Sequence, residues 1–165
     1  MKTLIISTFM ALLILVLPNE GHQEITWPLQ GPQGKDLIAK SGQVTVRVSV
    51  IPMDLRVCTA PSSWRWGAIN HCPETFVSAL EVKVKEKALF IPLSAFCGLG
   101  DPSEAKIKHR LGKGCFAVEL TGGDAFSSYS AILEFKNNVL SERIVQHGEL
   151  PDEIWEKTIY KLDEE

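Results

Sequence analysis

The chain lacks a basic surplus. Its 165 residues carry 17 Lys and Arg against 20 Asp and Glu, a formal charge of -3, and the cations form no stripe. Without clustered positive charge there is no electrostatic footprint for a phosphate backbone, which excludes nucleic acid as a partner. A bilayer-spanning run is missing as well. The apolar stretch from Leu4 to Leu17 is shorter than the roughly 20 residues a membrane helix needs. Preceded by Lys2 and followed by the polar Pro18-Asn19-Glu20-Gly21, it reads as a secretory signal occupying residues 1–22. No A-x-A box marks the cleavage point, and a cut near Gly21 or His22 fits the pattern. No Cys precedes Cys58, so nothing supports a lipid-modified N-terminal cysteine. The expectation is a secreted or periplasmic protein, monomeric, with no stable membrane anchor after cleavage.

Internal repeats and low-complexity tracts are absent too, as is the G-x-S-x-G elbow of an α/β hydrolase. Cysteine is sparse but even in number: Cys58, Cys72, Cys97 and Cys115. Four thiols in an exported chain point to two disulfides, for which three connectivities are possible. Pairing Cys58 with Cys72 and Cys97 with Cys115 closes one long loop each between strands, and each closure is worth roughly 3 kcal/mol on loop entropy. A zinc site built from Cys58, His71 and Cys72 is the alternative. It lacks the paired short cysteine spacings of structural zinc, and an oxidising compartment favours the bridge, so neither metal nor cofactor is expected.

What the chain does have is alternation. Val44, Val46, Val48 and Val50 share one face of an extended segment, with Thr45, Arg47 and Ser49 on the other. Phe116, Val118 and Leu120 repeat the pattern, as do Tyr129, Ala131, Leu133 and Phe135, with Ile132 the apolar exception opposite. Asn137-Asn138 tolerates positive φ and suits a two-residue hairpin turn. In that register Phe135 faces Leu140, Ala131 faces Ile144 and Glu134 faces Ser141. Glu142 then falls on the apolar face beside Leu133, so it sits at the rim or a bulge shifts the pairing.

Further strands are expected over Phe76–Lys85, with Leu80, Val82 and Val84 inward, and over Ala88–Leu93 after a charged Glu86-Lys87 turn. A short strand around Ala105–Leu111 is possible within an otherwise loop-like stretch. Residues 151–162 suggest one helical turn led by Pro151-Asp152-Glu153 and then an edge strand. Residues 23–42, carrying Pro28, Pro32 and three Gly, form an irregular lead-in; 43–162 form one β domain, and 163–165 an acidic tail. Six to eight short strands separated by Gly and Pro define the fold class: all-β, an antiparallel β-sandwich or partly open barrel with long disulfide-braced loops.

Several segments carry a likeness. Gly122-Gly123-Asp124-Ala125, Ser128-Tyr129, Pro92-Leu93-Ser94-Ala95-Phe96 and the stretch Gly-Glu-Leu-Pro-Asp-Glu-Ile-Trp-Glu-Lys-Thr at 148–158 resemble small, uncharacterised exported bacterial proteins. The similarity covers roughly the C-terminal half and implies a compact secreted domain, with no activity attached.

For function, the loop of residues 59–75 stands out, because Trp64, Arg65, Trp66 and His71 crowd a segment pinned by Cys58 and Cys72. Flat indoles suit a sugar or peptide and Arg65 suits a carboxylate, whereas the plain alternative has the indoles plugging an open end of the core. Gly122-Gly123-Asp124 offers too few oxygens for calcium and reads as a turn. Ser127 or Ser128 with His109 or His147 and Asp124 could make a hydrolytic triad only if the fold brings them together. The resulting expectation is a non-enzymatic binding or structural accessory module using the 59–75 loop, its partner an unknown protein, peptide or carbohydrate. An inhibitor or immunity-type protein presenting that loop is the alternative, and a hydrolase the third.

Overall fold

The structure, a computed structural model, describes residues 34–54, 66–67 and 72–162. Among the described residues, nine strands form two antiparallel sheets. The first takes β1 (Lys35–Ser41), β2 (Val44–Pro52), β3 (Thr75–Val84) and β4 (Lys87–Ala88) in chain order. The second takes β5 (Pro102–His109), β6 (Phe116–Gly122), β7 (Tyr129–Lys136), β8 (Val139–His147) and β9 (Ile154–Ile159), again in chain order. The sheets do not close into a barrel. Their inner faces share one core, in which Val46, Val48 and Val82 of the first sheet and Val118, Leu120, Ala131 and Leu133 of the second are fully buried.

Period-2 patterning produces this burial, and bulges adjust it where the pattern slips. On β3 the register shifts between Ser49 and Val50 of β2, so that Ser49 faces Ala79 and Val50 faces Val77. The extra residue, Ser78, lets Val77 and Leu80 both point inward, and its hydroxyl donates to the Ser49 carbonyl at 3.0 Å. The same device resolves Glu142. Asn137 and Asn138 both adopt positive φ, and Phe135 faces Leu140 as the turn requires. Ser141 then bulges, its hydroxyl donating to the Glu134 carbonyl at 3.0 Å, and the pairing beyond it moves by one. Ala131 therefore faces Val145 rather than Ile144, and Glu134 faces Glu142 rather than Ser141. Glu142 goes to the outer face, where Lys157 pairs with it. Arg143 goes inside, opposite Leu133 and 3 % exposed.

That arginine closes the flank of the fold where β4 is too short to cover the core. Nη1 donates to the Ser94 carbonyl at 2.8 Å and Nη2 to the Cys97 carbonyl at 3.3 Å, and Nη1 lies 3.2 Å from the Glu156 carboxylate on β9. The segment held in this way includes a 3-10 turn, Leu93–Ala95, and buries Ala95, Phe96 and Leu99. Ala88–Leu93 is thus not a full returning strand: only Lys87 and Ala88 pair with β3, around a turn at Lys85 and Glu86, both at positive φ. Leu89 N still donates to the Val82 carbonyl at 2.8 Å, after which the chain leaves the sheet, and Leu89 and Ile91 are partly buried against the core.

Three further expectations are corrected. Residues 35–41 of the expected lead-in form β1, an edge strand whose Leu37 and Ala39 face Val48 and Val46. Residues 151–152 make a turn, not a helical turn, before the edge strand β9. Cys97 and Cys115 are free thiols, so the Cys97–Cys115 bridge is not made. Their places explain it. The Cys97 carbonyl is held by Arg143, which is level with Leu133 and Val118, whereas Cys115 lies three residues before Val118, beside the Asn137-Asn138 turn. Each is thus anchored to a different part of the second sheet, Cys97 to Arg143 on β8 and Cys115 to the start of β6. Cys58 lies outside the described residues.

Candidate functional site

At the end of the molecule where β6 finishes and β7 begins, three backbone segments meet almost without side chains. Gly100 N donates to the Trp66 carbonyl at 2.9 Å, and Val77 N to the Leu99 carbonyl at 3.1 Å. Asp101 continues the seam: its amide donates to the Thr75 carbonyl, its carboxylate accepts from the Thr75 amide at 2.8 Å, and its carbonyl accepts from Gly123 N at 3.0 Å. Leu99-Gly100-Asp101 is thereby tied to β3 on one side and to the end of β6 on the other. Gly67 sits in the tightest place, at φ +92°, where an added Cβ would lie 2.2 Å from the Gly100 carbonyl oxygen. A Cβ on Gly123 would in turn lie 2.8 Å from the Gly67 Cα. Only glycine permits this approach.

The seam fixes Trp66, and Trp66 stacks on Trp155 with ring centroids 5.2 Å apart and planes 9° from parallel. Trp155 reaches that position through another bulge. Val145 faces Glu156 but Gln146 faces Ile154, which leaves Trp155 as the extra residue on β9. His147 meets the edge of Trp155, centroids 5.3 Å apart at 76°. Its Nδ1 accepts from the amides of Glu149 at 3.0 Å and Leu150 at 3.2 Å, so in the neutral ring the proton is on Nε2. Trp155 Nε1 donates to Glu153 at 3.4 Å.

These residues line a cleft of about 620 Å³, with Phe126, Ser127 and Leu150 completing its wall. Phe126 is 86 % exposed and Leu150 57 %. Large apolar side chains left in water beside a concave aromatic wall are the usual composition of a recognition site. His147 and the carboxylate of Glu153 also line the cleft.

The geometry does not assemble a hydrolytic triad. Ser127 Oγ donates to the Asp124 carboxylate at 2.8 Å, and Asp124 caps the 3-10 turn Ala125–Ser127. Gly122-Gly123-Asp124 is therefore a turn and cap, with Gly123 at φ +72°. His147 directs Nδ1 at backbone amides, and His109 lies at the far end of the molecule, its Nε2 2.8 Å from Ser41 Oγ.

Behind the cleft, Tyr129 is 1 % exposed and its hydroxyl has no hydrogen-bond partner. Burial raises its pKa far above the ordinary 10, and the Asp101 charge adds to the rise. A phenol held neutral in the fold but free to ionise when unfolded makes stability fall as pH climbs past 10. Tyr129→Phe is expected to flatten that alkaline loss and, by removing an unpartnered buried hydroxyl, to leave stability at pH 7 equal or up to about 1 kcal/mol higher. Thermal midpoints of parent and variant from pH 7 to pH 11 check this; parallel curves would contradict it.

Of the residues singled out in the sequence, Trp66 is at the cleft, while Trp64, Arg65 and His71 lie outside the described residues. Trp155, His147, Phe126 and Leu150 were not singled out as its companions. The Trp in the C-terminal edge strand was the one available signal. No protein-family model matches the chain, and no curated protein or solved structure matches it significantly.

Proposed function

We propose that this is an exported, monomeric, non-enzymatic binding module that recognises a carbohydrate or short peptide at the Trp66–Trp155 cleft, with the 59–75 loop forming part of the rim. One observation supports this reading above the others: a parallel indole pair borders an open cavity whose wall includes two large apolar side chains left in water, Phe126 and Leu150. Indoles used only to plug a core end need no such neighbours. Trp64, Arg65 and His71 belong to the same loop, and a Cys58–Cys72 bridge would hold that loop against the seam. His147 and Glu153 give the site one donor and one acceptor, enough to orient a ligand whose faces lie on the rings.

Titration with a panel of oligosaccharides and short peptides, followed by tryptophan fluorescence, tests the proposal. A saturable shift is expected for at least one class, and Trp155→Ala should weaken that binding about tenfold or more, as truncation of a central aromatic contact does. Fluorescence that no panel member moves, or affinity unchanged in Trp155→Ala, would sink it.

A further inference from the structure

The opposite end of the molecule has a second opening, between the Lys85-Glu86 and Ser41-to-Val44 turns of the first sheet and the Arg110-to-Cys115 loop and Asn137-Asn138 turn of the second. Its volume is about 1090 Å³, just above the roughly 300–1,000 Å³ typical of ligand pockets. The wall is apolar, from Val44, Val84, Phe90, Phe116, Val139 and Leu162. Phe90, at the mouth, is 70 % exposed.

Charge distinguishes this opening from a simple gap between sheets. Lys85, Lys87, His109, Arg110 and Lys113 line it, and no Asp or Glu does, in a chain whose acids outnumber its bases. Arg110 is engaged by Glu134 at 2.8 Å and His109 by Ser41. Lys85, Lys87 and Lys113 make no ion pair among the described residues. Elsewhere on the second sheet Lys106 pairs with Glu104, Lys108 with Glu119 and Lys157 with Glu142, while Lys136, outside the lining of this opening, makes no ion pair among the described residues. Three unneutralised ammonium groups around an apolar hollow complement a molecule with one anionic end and one hydrocarbon end. A bare inorganic anion would leave the apolar wall wet, and a neutral hydrocarbon would leave the lysines unused.

We infer that this basic-rimmed cleft binds a single-chain anionic amphiphile of the fatty-acid type, its carboxylate among Lys85, Lys87 and Lys113 and its chain along Val44, Val84, Phe116 and Val139. The inference is independent of the aromatic cleft, which lies at the other end of β7.

The test uses the chain expressed from its full sequence, the fluorescent polyene carboxylate cis-parinaric acid and its methyl ester. Saturable binding of the acid, much weaker binding of the ester, and a loss of about tenfold or more in Lys85→Gln/Lys87→Gln/Lys113→Gln are expected, since three exposed pairings are removed together. Far-UV circular dichroism of the triple variant checks that it remains folded. Equal affinity for acid and ester, an unaffected triple variant, or full displacement of the probe by inorganic phosphate would overturn the inference. Asp163, Glu164 and Glu165 follow Leu162 directly and could compete for the same lysines. A second variant, Asp163→Asn/Glu164→Gln/Glu165→Gln, covers that case: tighter binding of the acid supports the cleft, and no binding in either this variant or the parent overturns it.

Discussion

Replacing Arg143 by Ala is expected to destabilise the protein by about 3–5 kcal/mol, the usual consequence of breaking a buried ion pair from one side. Arg143 is 3 % exposed, and its guanidinium uses both terminal nitrogens on the Ser94 and Cys97 carbonyls and Nη1 also on Glu156. Removing it leaves two carbonyls and a carboxylate short of a donor and detaches the segment that covers the core beside β4. Lys is no substitute, because a single ammonium cannot reproduce the planar fork that spans both carbonyls. Urea unfolding of Arg143→Ala, Glu156→Gln and the double variant measures the effect. The double variant should lose clearly less than the sum of the singles, since the two groups share one interaction. A loss under 1 kcal/mol for Arg143→Ala would show that the flank is closed by apolar burial alone.

Gly67→Ala is expected to have the second largest effect, and to show it at the cleft. The new Cβ would meet the Gly100 carbonyl oxygen at 2.2 Å, and the backbone there is at φ +92°, so the segment must move. Backbone strain of this kind costs about 1–3 kcal/mol, and the Trp66–Trp155 stack adds about 0.5–1.5 kcal/mol when lost. Coupled indole transitions in the circular dichroism spectrum report the stack directly. Their disappearance with the sheets otherwise intact is the expected result. An unchanged indole signal would mean that the stack positions Trp66 without help from the glycine seam.

Those two sites differ sharply in how far the amino-acid sequence announces them. Alternation disclosed β2, β6 and β7 because each places large apolar residues at every second position, and Asn137-Asn138 disclosed the hairpin because few other pairs accept positive φ twice. The sequence also marked Glu142 as out of place, but not which serine would bulge to correct it. Arg143 therefore stayed hidden: its position inside depends on a one-residue slip that no local pattern dictates. β1 was hidden for a related reason. Lys35–Ser41 carries only Leu37 and Ala39 toward the core, and an edge strand so composed is extended because β2 offers it a partner. At the candidate site Trp66 was visible as an indole in a loop. Trp155, far along the chain, joins it only through the bulge on β9, and the glycines that hold the seam look individually like ordinary turn residues.

Both sheets keep their strands in the order of the chain, and among the described strands the change from one sheet to the other falls between β4 and β5. Among the named strands every pairing joins sequence neighbours, and the longer-range links are the isolated bridges of Leu99 and Gly100 to Trp66 and Phe76. For a two-layer β protein this shortens the entropic search that normally makes such topologies slow to form. The nucleus can be a local meander, β6 through β8, onto which flanking strands zip outward. Docking of the two halves, with Arg143 reaching across to the connecting segment, is then a late event in acquisition of the native state.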